Sequence, residues 1–232
     1  MKKFNNKITA CLCAAVLLCA VSLNAVAQET SSAKKTEFGF RFMPTYSSFD
    51  MKTSEGGTVS GDVTLGFGMG ALLGFSFSNH VGIQGELIYS SVSQKFNDKD
   101  VQHKVSLKYI NVPLLLTLNT GKSKVINLNI VGGPQIGFNV GSSITTSGTA
   151  DANNTQPVLS VKKGDLGVAY GAGADIALTS AHTLLLSLGY RGVLGLVDIS
   201  DQSSSITTDS YYVLDRTHLK TNSVYAGLTL MF

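Results

Sequence analysis

Apolar residues alternate with small or polar ones along most of this chain. Phe38, Phe40 and Phe42 alternate with Gly39, Arg41 and Met43, and Leu65, Phe67, Met69, Ala71, Leu73, Phe75 and Phe77 with Gly66, Gly68, Gly70, Leu72, Gly74 and Ser76. Val81, Ile83, Leu87 and Tyr89 oppose Gly82, Gln84, Glu86 and Ser90, and two long apolar segments follow at 104–118 and 125–140. Leu166, Val168, Tyr170, Ala172, Ala174 and Ile176 then oppose Gly167, Gly171, Gly173 and Asp175, and Leu184, Leu186, Leu188 and Tyr190 oppose Ser187, Gly189 and Arg191. The chain closes on Val224, Ala226, Leu228, Leu230 and Phe232, set against Tyr225, Gly227, Thr229 and Met231. A period of two is the signature of strands, and no stretch after residue 27 sustains a helical apolar period. The pattern predicts an all-β chain of eight strands.

The predicted connections are of two kinds. Short ones fall near 79–80, 119–124 and 179–182, and long polar ones at 49–63, 97–103, 141–164 and 195–220, in strict alternation. That alternation predicts an eight-stranded antiparallel up-and-down transmembrane β-barrel over 37–232, with short periplasmic turns and long extracellular loops. A soluble β-sandwich or lipocalin-like barrel has the same strand count with its apolar face inward, and face polarity alone does not separate the two. The long strands, the terminal Phe232 and a secretory leader on a chain without disulfides favour the membrane barrel. Pro44, Pro113 and Pro134 fall inside strands of a structure with no free edge, which predicts a bulge at each. Near Tyr109 the alternation slips by one, with Tyr109 on one phase and Val112, Leu114, Leu116 and Leu118 on the other.

The other end supplies the address. Lys2, Lys3 and Lys7 precede an apolar run at 8–23 and the site Ala25-Val26-Ala27, the layout of a cleaved signal peptide over 1–27. A short periplasmic segment, 28–36, is expected after it. Cys11, Cys13 and Cys19 all lie in the leader, so the remainder can form neither a disulfide nor a thiolate metal site. Three of the 18 Lys and Arg also lie there, and the remaining cations equal the 15 Asp and Glu. A neutral chain gives no footprint for nucleic acid.

Candidate chemistry is confined to the predicted lumen, where Arg41, Gln84, Glu86, Lys108, Asp175 and Arg191 fall. An eight-stranded barrel is just wide enough for side chains to fill, so a charge-paired plug is expected in preference to a polar pathway. The chain lacks G-x-x-x-x-G-K-[ST], H-E-x-x-H and G-x-S-x-G, so no catalytic, cofactor or metal residue is assigned and no enzyme is expected. His103 or His218 with Asp98, Asp100 or Asp215 and a loop serine is the one imaginable hydrolase set, and nothing in the spacing demands it. The loop histidines are read as solvated. The tyrosines are expected to include interfacial girdle residues, with Tyr211 and Tyr212 as a surface contact point.

The segments Val81-Gly82-Ile83-Gln84-Gly85-Glu86-Leu87-Ile88-Tyr89-Ser90 and Leu107-Lys108-Tyr109-Ile110-Asn111-Val112-Pro113-Leu114-Leu115-Leu116, together with Gly132-Gly133-Pro134 and Gly171-Ala172-Gly173, carry a resemblance. Through their order and spacing the chain resembles the PorT-like outer-membrane β-barrel family of the Bacteroidetes. The resemblance implies a barrel in a Gram-negative outer membrane, an accessory role in protein secretion for the namesake, and no catalytic motif. It also implies that Leu228, Leu230 and Phe232 form the signal read by the barrel-assembly machinery. The expected partners are outer-membrane lipid, that machinery with periplasmic chaperones, and an extracellular ligand held by the loops. The expected function is structural or interactive. A small pore or hydrophobic-ligand conduit is the alternative, and a lipid-modifying enzyme ranks last.

Overall fold

A computed structural model describes residues 36–52, 57–60, 62–98, 101–148, 156–201, 210–214 and 217–232. The leader and most of the segment after it lie outside the described residues. Eight long strands make up the wall: β1 (Thr36–Ser48), β2 (Leu65–Ser76), β3 (Val81–Asp98), β4 (Val101–Asn119), β5 (Ile126–Gly148), β6 (Gly164–Ala177), β7 (Leu184–Gly195) and β8 (Lys220–Met231). Each pairs antiparallel with its neighbour in sequence, and β8 pairs with β1 to close the ring. Closure sets Phe38 opposite Leu230, Phe40 opposite Leu228 and Phe42 opposite Ala226. A closed ring leaves no unpaired strand edge, the condition for putting backbone into lipid.

The faces are inside-out relative to a soluble protein. Phe40 is 61% exposed, Leu73 61%, Leu114 57%, Leu128 55% and Leu228 51%, whereas Glu86, Gln84, Asn127, Asp165 and Arg191 are buried. On β4 the outward positions Ile110, Val112, Leu114, Leu116 and Leu118 are all exposed. At about 3.4 Å per residue they run about 27 Å along the strand, close to the ~25 Å apolar band of an outer-membrane barrel once tilt is allowed for.

Two expectations about the wall need correction. The prolines mark gaps in pairing, without bulges. The β1–β8 register is unbroken across Met43 and Pro44, which merely lack partners there, and Pro44 stays in register with Phe67 on its other side. Pro113 likewise opens the ladder toward β3 and stays opposite Gln135 of β5, and Pro134 opens it toward β4 and stays opposite Val168 of β6. A proline lacks one donor and no more, so one side of the strand opens while the other holds register. The register shift lies instead between Lys108 and Tyr109, where Tyr109 faces Asn139 and Lys108 faces Gly141, leaving Val140 as the extra residue of β5. Beyond it β5 reverses its facing, and Ile144 turns toward the interior.

The long connections are also less loop-like than expected. β3, β4 and β5 are 18, 19 and 23 residues long, against about 10 for one tilted crossing, so they rise past the membrane as a hairpin extension. Short strands Asp50–Lys52 and Thr58–Ser60 pair with each other, and Ser210–Tyr212 pairs in parallel with Gln156–Val158.

Candidate functional site

The inward side chains stack in layers. At the short-turn end, which is periplasmic by the loop-length rule, Glu37 of β1 ion-pairs with Lys122 of the 119–124 turn, and Ser76 donates to Glu37 Oε1 at 3.2 Å. The turn is held beneath the barrel by Gly121, whose φ of 144° disfavours a side chain and whose N–H donates to Asn127 Oδ1 at 3.1 Å. Asp175 of β6 lies above: its carboxylate accepts from Asn127 and Asn129 amides at 3.1 and 2.8 Å and from the Ser187 hydroxyl at 2.7 Å.

The middle layer is an ion triad. Arg191 of β7 makes a two-pronged pair with Glu86 of β3, Nη1 to Oε2 at 3.1 Å and Nη2 to Oε1 at 3.0 Å. Arg41 Nη1 reaches the same Oε1 at 2.6 Å, and the Gln84 amide donates to it too. The three charged side chains are 8%, 1% and 2% exposed for Arg41, Glu86 and Arg191. Arg41 also lies over the Tyr225 ring, 4.6 Å from its centre, and a methyl group added at Gly173 or Gly189 would strike the Tyr225 hydroxyl. The glycines of these strands thus make room for the large residues of the plug. Arg41, Arg191 and Lys122 balance Glu37, Glu86 and Asp175, so this half of the lumen is neutral by internal pairing, as buried charges require.

Above the triad a cavity of about 40 Å³ is lined by Thr45, Ser90, Asn111, Gln135, Asp165 and Arg191 among others. That is room for about three water molecules. Still higher the filling becomes apolar. Phe49, just after β1, and Val92, Phe96, Val105, Leu107 and Tyr109 of the extended strands pack against Ile199, Val213, Leu214 and Leu219 of the last long connection, with Leu159 and Val161 alongside. Asp198 ties this cap together, accepting from the Ser200 N–H and hydroxyl at 2.9 and 2.6 Å and from the Thr217 N–H at 2.9 Å. Partial burial pushes its carboxyl up, but these donors and nearby Lys162 outweigh it and hold the carboxyl below its ordinary range.

Of the residues predicted for the lumen, the structure brings Arg41, Gln84, Glu86 and Arg191 into one network and places Asp175 in the layer beneath. Lys108 is not with them. It lies on the exposed outward face of β4, because Leu107 and Tyr109 take the inward positions on either side of it. His103 corrects another expectation: it is buried, stacked on Phe96 at 4.9 Å and hydrogen-bonded from Nδ1 to Thr146 at 3.0 Å, whereas His218 is exposed. Asp100 and Asp215 fall outside the described residues. Tyr46, Tyr170 and Tyr190 are outward as girdle residues should be, while Tyr109 and Tyr225 are interior. Glu37, Lys122 and the apolar cap were not anticipated. Among the described residues no group of three or more His, Cys, Asp or Glu is placed to hold a metal ion.

A closed antiparallel ring with an apolar exterior and a paired polar interior defines an integral β-barrel of the outer membrane. The chain matches the outer membrane protein beta-barrel domain over residues 26–201 and belongs to that family. Among solved structures it is similar to the outer membrane protein OprG from Pseudomonas aeruginosa, at 15% identity over 86% of this chain and 97% of that one, with a TM-score of 0.50. It is also similar to Neisserial surface protein A, at 12% identity over 84% and 97% with a TM-score of 0.47. A third is the attachment invasion locus protein Ail of Yersinia pestis in complex with a heparin analogue, at 14% identity over 84% and 99% with a TM-score of 0.40. Among curated proteins none matches.

Proposed function

We propose that this protein is a closed outer-membrane barrel that works by contact at its extracellular cap and carries no solute through its lumen. The observation that supports this is filling of the interior on both sides of the small cavity, by the Glu37–Lys122 pair and the Arg41–Glu86–Arg191 triad below it and the Leu107–Val213 cap above. A conduit needs an unbroken polar or apolar path, and here each half is blocked by packing of the opposite polarity. The reading assigns no catalytic step, and the buried, stacked His103 suits a core role better than a base.

The partners on this reading are outer-membrane lipid around the wall, the barrel-assembly and periplasmic chaperone machinery during biogenesis, and an extracellular ligand on the cap. Leu228 and Leu230 on the exposed outer face of β8, with the exposed Phe232 just beyond it, serve as the assembly signal. An accessory role in protein secretion, which the PorT-like resemblance suggests, fits the same reading, since a closed barrel contributes contacts and not a passage.

Replacing 149–163 or 196–219 with short Gly-Ser linkers tests this. The folded, heat-modifiable band should persist on gels while surface binding is lost. Loss of the folded band would contradict the view that the wall stands without its cap.

A further inference from the structure

We propose that the outer face of β3 and β4, just above the apolar band, is a binding site for the phosphate groups of an outer-leaflet glycolipid. Lys95 of β3 and Lys104 of β4 are direct cross-strand partners, and both point outward. Like charges placed directly opposite destabilise a sheet. Lys108, four residues along β4 on the same face, adds a third cation and sits opposite Ser91. Asp62 is in register with Lys95 on its other side, yet among the described residues none of the three lysine side chains has an ion-pair or hydrogen-bond partner.

The ground between the lysines is hydroxylic. Ser93 and Ser106 face each other with their hydroxyls 3.1 Å apart, and Ser143 and Thr145 of β5 continue the two rows opposite Ser106 and Lys104. The Val140 bulge is what turns these two residues outward, so the same irregularity that aims Ile144 into the cap completes the patch. Three ammonium groups around a hydroxyl floor can supply charge-assisted hydrogen bonds to phosphate oxygens.

Position selects a lipid over a soluble anion. The next outward row toward the membrane is Met69, Tyr89, Ile110 and Phe138, the upper edge of the apolar band. Lys108 stands one row above it and Lys104 about 14 Å along the strand from Lys108 at ~3.4 Å per residue, which tilt reduces to roughly 10 Å of height. That span is comparable to the polar headgroup layer, about 5–8 Å per leaflet. A lipid whose acyl chains lie on Ile110 and Val112 would therefore carry its phosphates past Lys108 to the Lys95–Lys104 pair.

The test compares the full chain with the Lys95→Gln/Lys104→Gln/Lys108→Gln variant, both folded in phosphatidylcholine vesicles. The vesicles contain bis-phosphorylated lipid A, dephosphorylated lipid A or neither, and lipid retained per barrel is counted by mass spectrometry after detergent extraction. The wild type should retain the phosphorylated lipid preferentially, and the variant on the order of tenfold less, with an unchanged heat-modifiable band in plain phosphatidylcholine. Equal retention by the variant, or equal retention of the dephosphorylated lipid, would overturn the proposal. So would displacement of the lipid by a soluble polysulfated saccharide bound through the same lysines, which would make this a polyanion site.

Discussion

Below Met43 this barrel is filled as a membrane protein must be, with charges that neutralise one another; above it the filling is that of a small soluble domain. The lower half holds Glu37, Lys122, Asp175, Arg41, Glu86 and Arg191, each held by specific named partners. The upper half holds Phe49, Val92, Val105, Leu107, Ile199, Val213 and Leu214, which have no specific partner and many neighbours. The wall around both is the same antiparallel ring. What differs is surroundings: the lower half is ringed by lipid, whereas the strands of the upper half have risen into water, where an apolar interior gains from being covered. The two halves should therefore fail differently, one abruptly on loss of a single partner and the other by degrees.

The largest effect should come from Glu86→Ala, which leaves Arg41 and Arg191 facing each other uncompensated and should cost about 3–5 kcal/mol. Urea titration of the heat-modifiable band in vesicles would measure it. The triple variant Arg41→Met/Glu86→Leu/Arg191→Met should recover most of that loss if pairing, and not the charges themselves, is what the layer requires. Gly189→Ala should come next, at about 1–3 kcal/mol, because the added methyl displaces Tyr225 from beneath Arg41. In the upper half, Ile199→Val should cost only about 0.5–1.5 kcal/mol, read as faster proteolysis of the cap with the barrel midpoint unchanged. A shift in the barrel midpoint as large as that of Glu86→Ala would erase the distinction between the halves.

The smallest predicted effect is a pH dependence. The carboxyl of Asp198 titrates below its ordinary range when folded, so its contribution to the cap is present at pH above the unfolded value. It is lost as pH falls through the lower folded value. Amide exchange at Ser200 and Thr217 should quicken on acidification below about pH 4, and Asp198→Asn should remove the dependence. Exchange that instead slows on acidification, beyond its intrinsic dependence, would reverse the assignment.

How much of this was legible in the sequence follows the same division. Where one face meets lipid and the other a polar plug, the contrast between Phe38, Phe40 and Phe42 and Gly39 and Arg41, or between Leu228 and Leu230 and Thr229, fixes facing, and the triad Arg41, Glu86 and Arg191 could be read from phase alone. In 104–118 the contrast fails. Val105, Leu107 and Tyr109 are as apolar as Ile110, Val112 and Leu114 because they fill the upper core, so the apolar residues no longer identify the lipid side, and phase alone puts Lys108 in the lumen. The Glu37–Lys122 pair was hidden for another reason: only the fold of the 119–124 turn under the barrel brings residues 85 positions apart together. Ile199, Val213 and Leu214 sit in a connection rich in Ser and Asp, where three apolar residues carry no period to read.

The most direct test of the closed, two-part interior is the conductance of the full chain in planar bilayers. The folded wild type should be electrically silent, and the Arg41→Ala/Arg191→Ala variant, with a linker replacing 196–219, should show small steady currents, because the charged layer and the cap are then both opened. Steady ohmic current through the wild type would contradict the account.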